Sequence, residues 1–140
     1  MFNKDFYPTP IEVIERMLLG HDLNGKHVLE PSAGKGNILD VVNGLGAKSM
    51  FCEKNEDLAQ ISSSKSRFLK SDFLEVTQEE VSHLDYIIMN PPFSADEKHI
   101  LHAWDVAPKG CTIISLCNWE TISNSYTSFR RSLNHRIKES

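Results

Sequence analysis

The sequence predicts a doubly wound α/β fold around a mostly parallel sheet, and three observations carry that prediction. Short apolar runs alternate along the chain with segments whose apolar residues recur at helical spacing. The runs are apolar throughout rather than at every second position, as strands covered by helices on both faces must be. Glycine, proline and capping residues punctuate the boundaries between them. A length of 140 residues, with 40% hydrophobic and 24% charged content, fits one globular domain, read as spanning 1–140.

Thr9 and Glu12 form a capping-box pattern with Pro10 at the first helical position, and Ile11, Ile14 and Leu18 follow at helical spacing until Gly20. His27-Val28-Leu29-Glu30 is a short buried strand that runs into Pro31-Ser32-Ala33-Gly34-Lys35-Gly36. Ile38, Leu39, Val41, Val42 and Leu45 then predict a helix. A strand at Lys48 to Glu53, a helix near Asn55 to Ile61 and a strand at Arg67 to Lys70 come next, with Ser62-Ser63-Ser64-Lys65-Ser66 read as an ordinary loop. Thr77 and Glu80 repeat the capping box on a short helix, and Leu84 to Met89 is a strongly hydrophobic strand. Ser94 and Glu97 cap a further helix with Ile100, Leu101 and Trp104 on its core side. Pro108-Lys109-Gly110 turns the chain into a fifth strand, Cys111 to Cys117, and a final helix carries Phe129 and Leu133.

Several function classes are disfavoured. No stretch approaches the roughly 20 apolar residues of a membrane span, and Met1-Phe2-Asn3-Lys4-Asp5-Phe6 lacks a signal peptide's charged-then-apolar pattern, so a cytoplasmic location is expected. Cys52, Cys111 and Cys117 lie in apolar runs without paired metal spacing and read as reduced core residues. His99 and His102 share a helix face with Lys98 and Asp105, which reads as solvated rather than as a metal site. The net charge of −4 argues against a self-sufficient nucleic-acid binder. Arg130, Arg131, His135, Arg136 and Lys138 form the one basic segment able to meet phosphates, and a solvated helix face explains them equally well.

In doubly wound sheets ligands bind beyond the carboxyl ends of the strands, near the reversal of strand order, so the residues after each strand carry the chemistry. After the first strand, Ala33, Gly34 and Gly36 allow backbone to approach a ligand closely beside a helix N-terminus, although a tight turn alone would use the same residues. A third glycine at the dinucleotide spacing is missing, which lowers a nicotinamide-cofactor reading. Glu53 follows the second strand, where a carboxylate can accept both hydroxyls of a ribose. Asp72 and Phe73 follow the third, where a carboxylate could accept from an adenine amino group and a ring could cover its face, or could serve as a helix-entry turn and a core aromatic.

The strongest signal follows the fourth strand. Asn90-Pro91-Pro92-Phe93 is a preset motif expected by chance about once in a thousand chains of this length. Two prolines stiffen the loop and remove backbone donors, leaving its carbonyls as acceptors. An aromatic amine is a poor nucleophile with two hydrogens to donate, so it needs acceptors rather than a strong base. The Asn90 side-chain oxygen and the Pro91 carbonyl are placed to take those hydrogens, with Phe93 stacked on the base. A base held in this way must leave its helix or come from a single strand. Trp119, just past the fifth strand, is a further candidate to face the cleft.

Glu30-Pro31-Ser32-Ala33-Gly34-Lys35-Gly36 followed by Asn90-Pro91-Pro92-Phe93, together with the N-terminal Phe6-Tyr7-Pro8-Thr9-Pro10, resembles the S-adenosylmethionine (SAM)-dependent N6-adenine DNA methyltransferases. The resemblance covers nearly the whole chain and implies a class I, Rossmann-like methyltransferase fold with SAM as cofactor. It assigns Tyr7, Thr9, Glu30, Ala33, Gly34 and Gly36 to the methionine end of SAM, Glu53 to its ribose, and Asp72 and Phe73 to its adenine. Asn90, Pro91, Pro92 and Phe93 become the target-base loop. Glu30 stands where many relatives have aspartate, a longer carboxylate that still reaches the SAM amino group.

The larger departure is the absence of the antiparallel strand pair that closes the family's sheet. The expectation is therefore an incomplete catalytic unit with weak, salt-sensitive DNA binding and no membrane partner. Its exposed fifth strand would invite self-association or need a further C-terminal region or partner subunit. Rival readings are RNA methylation at guanine N2 or adenine N6, methylation of a protein glutamine where tyrosine ends the motif, and a SAM- or DNA-binding module without catalysis.

Overall fold

The computed structural model describes residues 9–91 and 96–116. In chain order these form helix α1 (Ile11–Met17), strand β1 (His27–Glu30), α2 (Asn37–Gly44), β2 (Lys48–Cys52), α3 (Glu56–Ser63), β3 (Arg67–Lys70), single 3-10 turns at Phe73–Glu75 and Glu79–Val81, β4 (Tyr86–Met89), α4 (Asp96–Val106) and β5 (Thr112–Ser115). The strands make one sheet in the order β3-β2-β1-β4-β5, and every pairing is parallel. The expected doubly wound α/β arrangement is therefore present. Strands are added outward from β1 through β2 to β3, and the chain then returns to the other side of β1 to place β4. The order reverses between β1 and β4, which opens a crevice at their carboxyl ends.

Alternation along the strands sends side chains to two apolar layers. Val28 and Ile88 pack with Ile14, Leu18, Ile38 and Val42 of α1 and α2. Leu29, Met50, Cys52, Ile87 and Met89 face the opposite layer, with Phe73, Val76, Ile100 and Ala103. Both layers exclude water, which is why the strands are apolar at consecutive positions. The same alternation places Glu30 on the side of Val28, and continuing it past the end of β4 places Asn90 on the side of Ile88. Both polar groups thus emerge on the α1/α2 side of the cleft.

Local chemistry explains most boundaries and several differences from expectation. Asn55 caps α3 by accepting a hydrogen bond from Leu58 N–H at 3.1 Å. The Thr77–Glu80 box forms, with Thr77 N–H donating to Glu80 Oε1 at 3.0 Å and Glu80 N–H to Thr77 Oγ1 at 3.4 Å, but around one 3-10 turn. The Thr9–Glu12 box does not form: α1 begins after Pro10 without a side-chain cap, and the Thr9 hydroxyl instead accepts from Asn90. The serine run is not all loop, because Ser62 lies in α3 one turn after Leu58 and is fully buried.

Two readings of α4 are corrected. Trp104 is 41% exposed, and the core side of the helix is formed by Ile100, Leu101, Ala103 and Val106. On the face carrying His99 and His102, Lys98 and Asp105 are exposed but the histidines turn inward. His99 is buried and stacked on Phe73, while His102 meets the edge of the same ring and donates from Nε2 to the Val76 carbonyl at 2.8 Å. Tyr7, Pro92, Phe93, Ser94, Cys117, Trp119, the basic segment from Arg130 to Lys138 and the final predicted helix lie outside the described residues. Among the described residues no helix is long and apolar enough to cross a membrane.

Candidate active site

The carboxyl end of β1 supplies a buried carboxyl group. Glu30 is 1% exposed, and its Oε2 has no hydrogen-bond partner among the described residues. Burial pushes its carboxyl well above the usual carboxylate range. A hydrogen bond from the Ser32 backbone opposes the shift, and the nearby Glu53 charge adds to it. An ionised carboxylate in this position would need a cationic partner, since a buried charge is costly unless it is paired.

The turn after Glu30 is braced from three sides. Ala33 N–H donates to the Cys52 carbonyl at 3.1 Å, joining the turn to the end of β2. Gly34 N–H donates to Glu53 Oε1 at 2.8 Å, and Ser62 Oγ donates to the Gly34 carbonyl at 2.9 Å from α3. Lys65 Nζ donates to the Lys35 carbonyl at 2.8 Å and pairs with Asp40 at 2.9 Å. Gly36, the residue before α2, has φ +89°, and a Cβ there would lie 3.0 Å from Lys65 Cδ and 3.1 Å from Ser62 Oγ. Glycine is therefore required both by the left-handed backbone and by the close packing of α3.

Glu53 receives Gly34 N–H on one oxygen and Asn55 N–H, at 2.9 Å, on the other. Each carboxylate oxygen has two lone pairs, so both keep capacity for a ligand hydroxyl. Asp72 enters from the end of β3. Its Oδ1 accepts from Leu74 N–H at 2.9 Å, and its Oδ2 lies 3.7 Å from Lys54 Nζ, beyond the end of β2. Phe73 is 1% exposed, with its ring enclosed by His99 and His102, so it has no open face to lay against a base. Phe73 is a core aromatic in the ligand-free protein, the alternative the sequence allowed beside an adenine cover.

Across the crevice, Asn90 and Pro91 follow β4, Asn90 partly exposed and Pro91 buried. Asn90 Nδ2 donates to Thr9 Oγ1 at 3.0 Å, and among the described residues no donor meets its Oδ1. Thr9 is itself buried, and its carbonyl accepts from Asn37 Nδ2 at 3.0 Å at the start of α2. Thr9, Glu30, Ala33, Gly34, Gly36, Glu53, Asn90 and Pro91 thus gather at the carboxyl ends of β1, β2 and β4, with Asp72 at the end of β3.

Sequence reasoning missed Ser62, Lys65 and Asn37. A signal for Ser62 was present, because it stands four residues after Leu58 on the buried stripe of α3. Lys65 and Asn37 act through contacts to turns distant in sequence, which no local pattern marks. Burial raises Cys52 to about 12 and Cys111 to about 11, which keeps these two thiols protonated at neutral pH.

No protein-family model and no curated protein matches the sequence. Solved structures do match. An RNA methyltransferase from Salinibacter ruber in complex with S-adenosyl-L-homocysteine superposes with TM-score 0.67 at 18% identity, covering 80% of this chain and 79% of that one. The fold is that of the class I methyltransferases. A proposed RNA methyltransferase from Pyrococcus horikoshii gives TM-score 0.68 at 24% identity over 95% of this chain and 70% of its own. A protein from Agrobacterium tumefaciens assigned as an O-methyltransferase gives 0.64 at 18% identity over 79% and 62%. The differing acceptors named for these proteins fit the general rule that a fold does not choose a substrate.

Proposed function

We propose that the chain is the catalytic core of a SAM-dependent methyltransferase acting on an exocyclic amino group of a nucleic-acid base, adenine N6 in DNA being the first reading. The observation that carries it is the placement of Asn90-Pro91 across the strand-order reversal from a braced glycine turn and a buried carboxyl whose Oε2 has no partner among the described residues. The residues present fit the cofactor. Glu30 Oε2 suits the α-ammonium of its methionine end, with Ala33, Gly34 and Gly36 letting backbone come close. Glu53 suits the ribose hydroxyls, and Asp72 the adenine amino group. When bound there, SAM supplies an electrophilic methyl group on a sulfonium.

The protein's own contribution is to orient the acceptor. Asn90 Oδ1 and the Pro91 carbonyl take the two hydrogens of the incoming amine, which concentrates its lone pair and directs it into the crevice. No strong base is required, since the proton becomes acidic only as the nitrogen acquires its new bond. Tyr7 beside the methionine end, with Pro92 and Phe93 completing the target loop, remains part of the proposal.

A second reading, transfer to an RNA base at guanine N2 or adenine N6, is favoured by the RNA methyltransferases among the structural neighbours. The net charge of −4 supports weak nucleic-acid binding by this chain, with further polypeptide or a partner subunit contributing to recognition. Labelled SAM presented with single- and double-stranded DNA, RNA and protein, followed by analysis of the modified residue, separates these readings. N6-methyladenine in DNA is expected. N2-methylguanine or N6-methyladenine confined to RNA moves the assignment to the second reading, and label in protein alone contradicts both.

A further inference from the structure

Thr9 lies before α1, yet both of its polar atoms reach other elements. Its carbonyl accepts Asn37 Nδ2 at 3.0 Å, and its Oγ1 accepts Asn90 Nδ2 at 3.0 Å. A capping role, the ordinary use of a threonine at this position, is absent because α1 has no side-chain cap. The residue is only 7% exposed, so water does not readily replace these partners. A carboxamide has a donor end and an acceptor end, and only the acceptor end can receive the N–H of an amine. Turning Asn90 Oδ1 toward an amine sends Nδ2 the other way, toward buried Thr9, where its N–H2 needs an acceptor. The Thr9 hydroxyl is that acceptor.

We propose that Thr9 is a positioning residue for the target loop, whose hydroxyl holds the Asn90 carboxamide with Oδ1 toward the acceptor amine. Asn37 holds Thr9 in turn, from the first residue of the helix that follows the glycine turn. This goes beyond an assignment of Thr9 to the methionine end of the cofactor and rests on the methyltransferase reading of the site. Loss of the hydroxyl leaves Asn90 Nδ2 unpaired in the productive orientation and allows the carboxamide to turn over. Its N–H2 then meets the N–H2 of the amine, donor against donor. The effect belongs to the acceptor step and not to cofactor binding.

The test compares Thr9→Val, which keeps the shape and removes the hydroxyl, with Thr9→Ser, which retains it. Wild type and Asn90→Ala serve as references. Two readouts are needed. In the cofactor-free protein, the Asn90 side-chain amide is identified in an 15N correlation spectrum by its loss in Asn90→Ala. Its exchange with solvent is expected to be slow in wild type and Thr9→Ser and faster in Thr9→Val. In methyl transfer, Thr9→Val is expected to lose on the order of tenfold to a hundredfold in kcat with the cofactor Kd nearly unchanged, and Thr9→Ser to recover most of it.

An unchanged Asn90 amide signal in Thr9→Val overturns the proposal whatever the activity. So does a loss confined to cofactor affinity, which would make Thr9 a cofactor contact. Transfer by Asn90→Ala as fast as by wild type, with the amide signals behaving as expected, overturns the methyltransferase reading of Asn90 while leaving the Thr9–Asn90 link intact.

Discussion

At the end of β1 the chain closes its turn with groups nearer in sequence, whereas at the end of β4 Asn90 is held by a residue far away along the chain. Gly34 is bonded to Glu53 and Ser62, 19 and 28 positions away, while Asn90 is bonded to Thr9 at a separation of 81. The first side of the crevice is therefore completed by β1, α2, β2 and α3 alone. The second gains its orientation only when the segment before α1 has docked against β4. Contacts between distant segments carry the larger loop-closure cost. The glycine turn is braced by neighbouring elements, and the Asn90 side depends on a contact with the segment before α1.

That contrast predicts different consequences of damage on the two sides. The largest effect is expected from Asn90→Ala, which should cut methyl transfer by on the order of a hundredfold or more with cofactor affinity nearly unchanged, because the lost oxygen acts as the amine reacts. Single-turnover transfer and calorimetry measure the two quantities separately. Loss of both together would make Asn90 a structural residue and remove the contrast.

Glu30→Gln should follow in size. It preserves shape and removes charge, so cofactor affinity should fall about tenfold or more, in line with ~1.5–3 kcal/mol for a charge-assisted hydrogen bond. The same substitution has a pH signature in the ligand-free protein. The folded-state pKa of Glu30 lies above the ordinary 4.5. Its contribution to stability is thus fully present below pH 4.5 and is lost as pH rises through the folded value. Urea denaturation from pH 4 to pH 8 should show wild type losing stability relative to Glu30→Gln as pH rises. A parallel pH dependence for the two proteins would mean that Glu30 is not held as described.

Ser62→Ala should have the smallest effect, about 1 kcal/mol of stability from one lost hydrogen bond to the turn. Cofactor affinity should decrease modestly, because the Cys52 and Glu53 braces remain. A collapse of binding in Ser62→Ala would show that the turn is less independently supported than its bonding pattern indicates.

The elements were legible where short-range physics decided them. β1 and β3 have the predicted bounds. In β1 and β4 two-sided burial makes the strand apolar at consecutive positions, and the end of β4 delivers Asn90 to the crevice. Legibility failed where a distant partner competed with a local one. Thr9 matches a capping box but gives its hydroxyl to Asn90. The charged neighbours Lys98 and Asp105 suggested a wet helix face, yet Phe73 and Val76 close over His99 and His102. The reach of Glu53 into the glycine turn was likewise invisible, although its place after β2 was not. The orphaned oxygen of Glu30 is a property of packing in three dimensions, and the Glu-Pro-Ser-Ala-Gly string alone carries no record of it.

The most direct test of the account is a crystal structure of the protein with S-adenosylhomocysteine bound. The account predicts the ligand between the carboxyl ends of β1 and β4, its amino group on Glu30 Oε2, its ribose hydroxyls on Glu53 and its sulfur facing Asn90. A ligand bound elsewhere, or one whose amino group leaves Glu30 Oε2 unpaired, would contradict it.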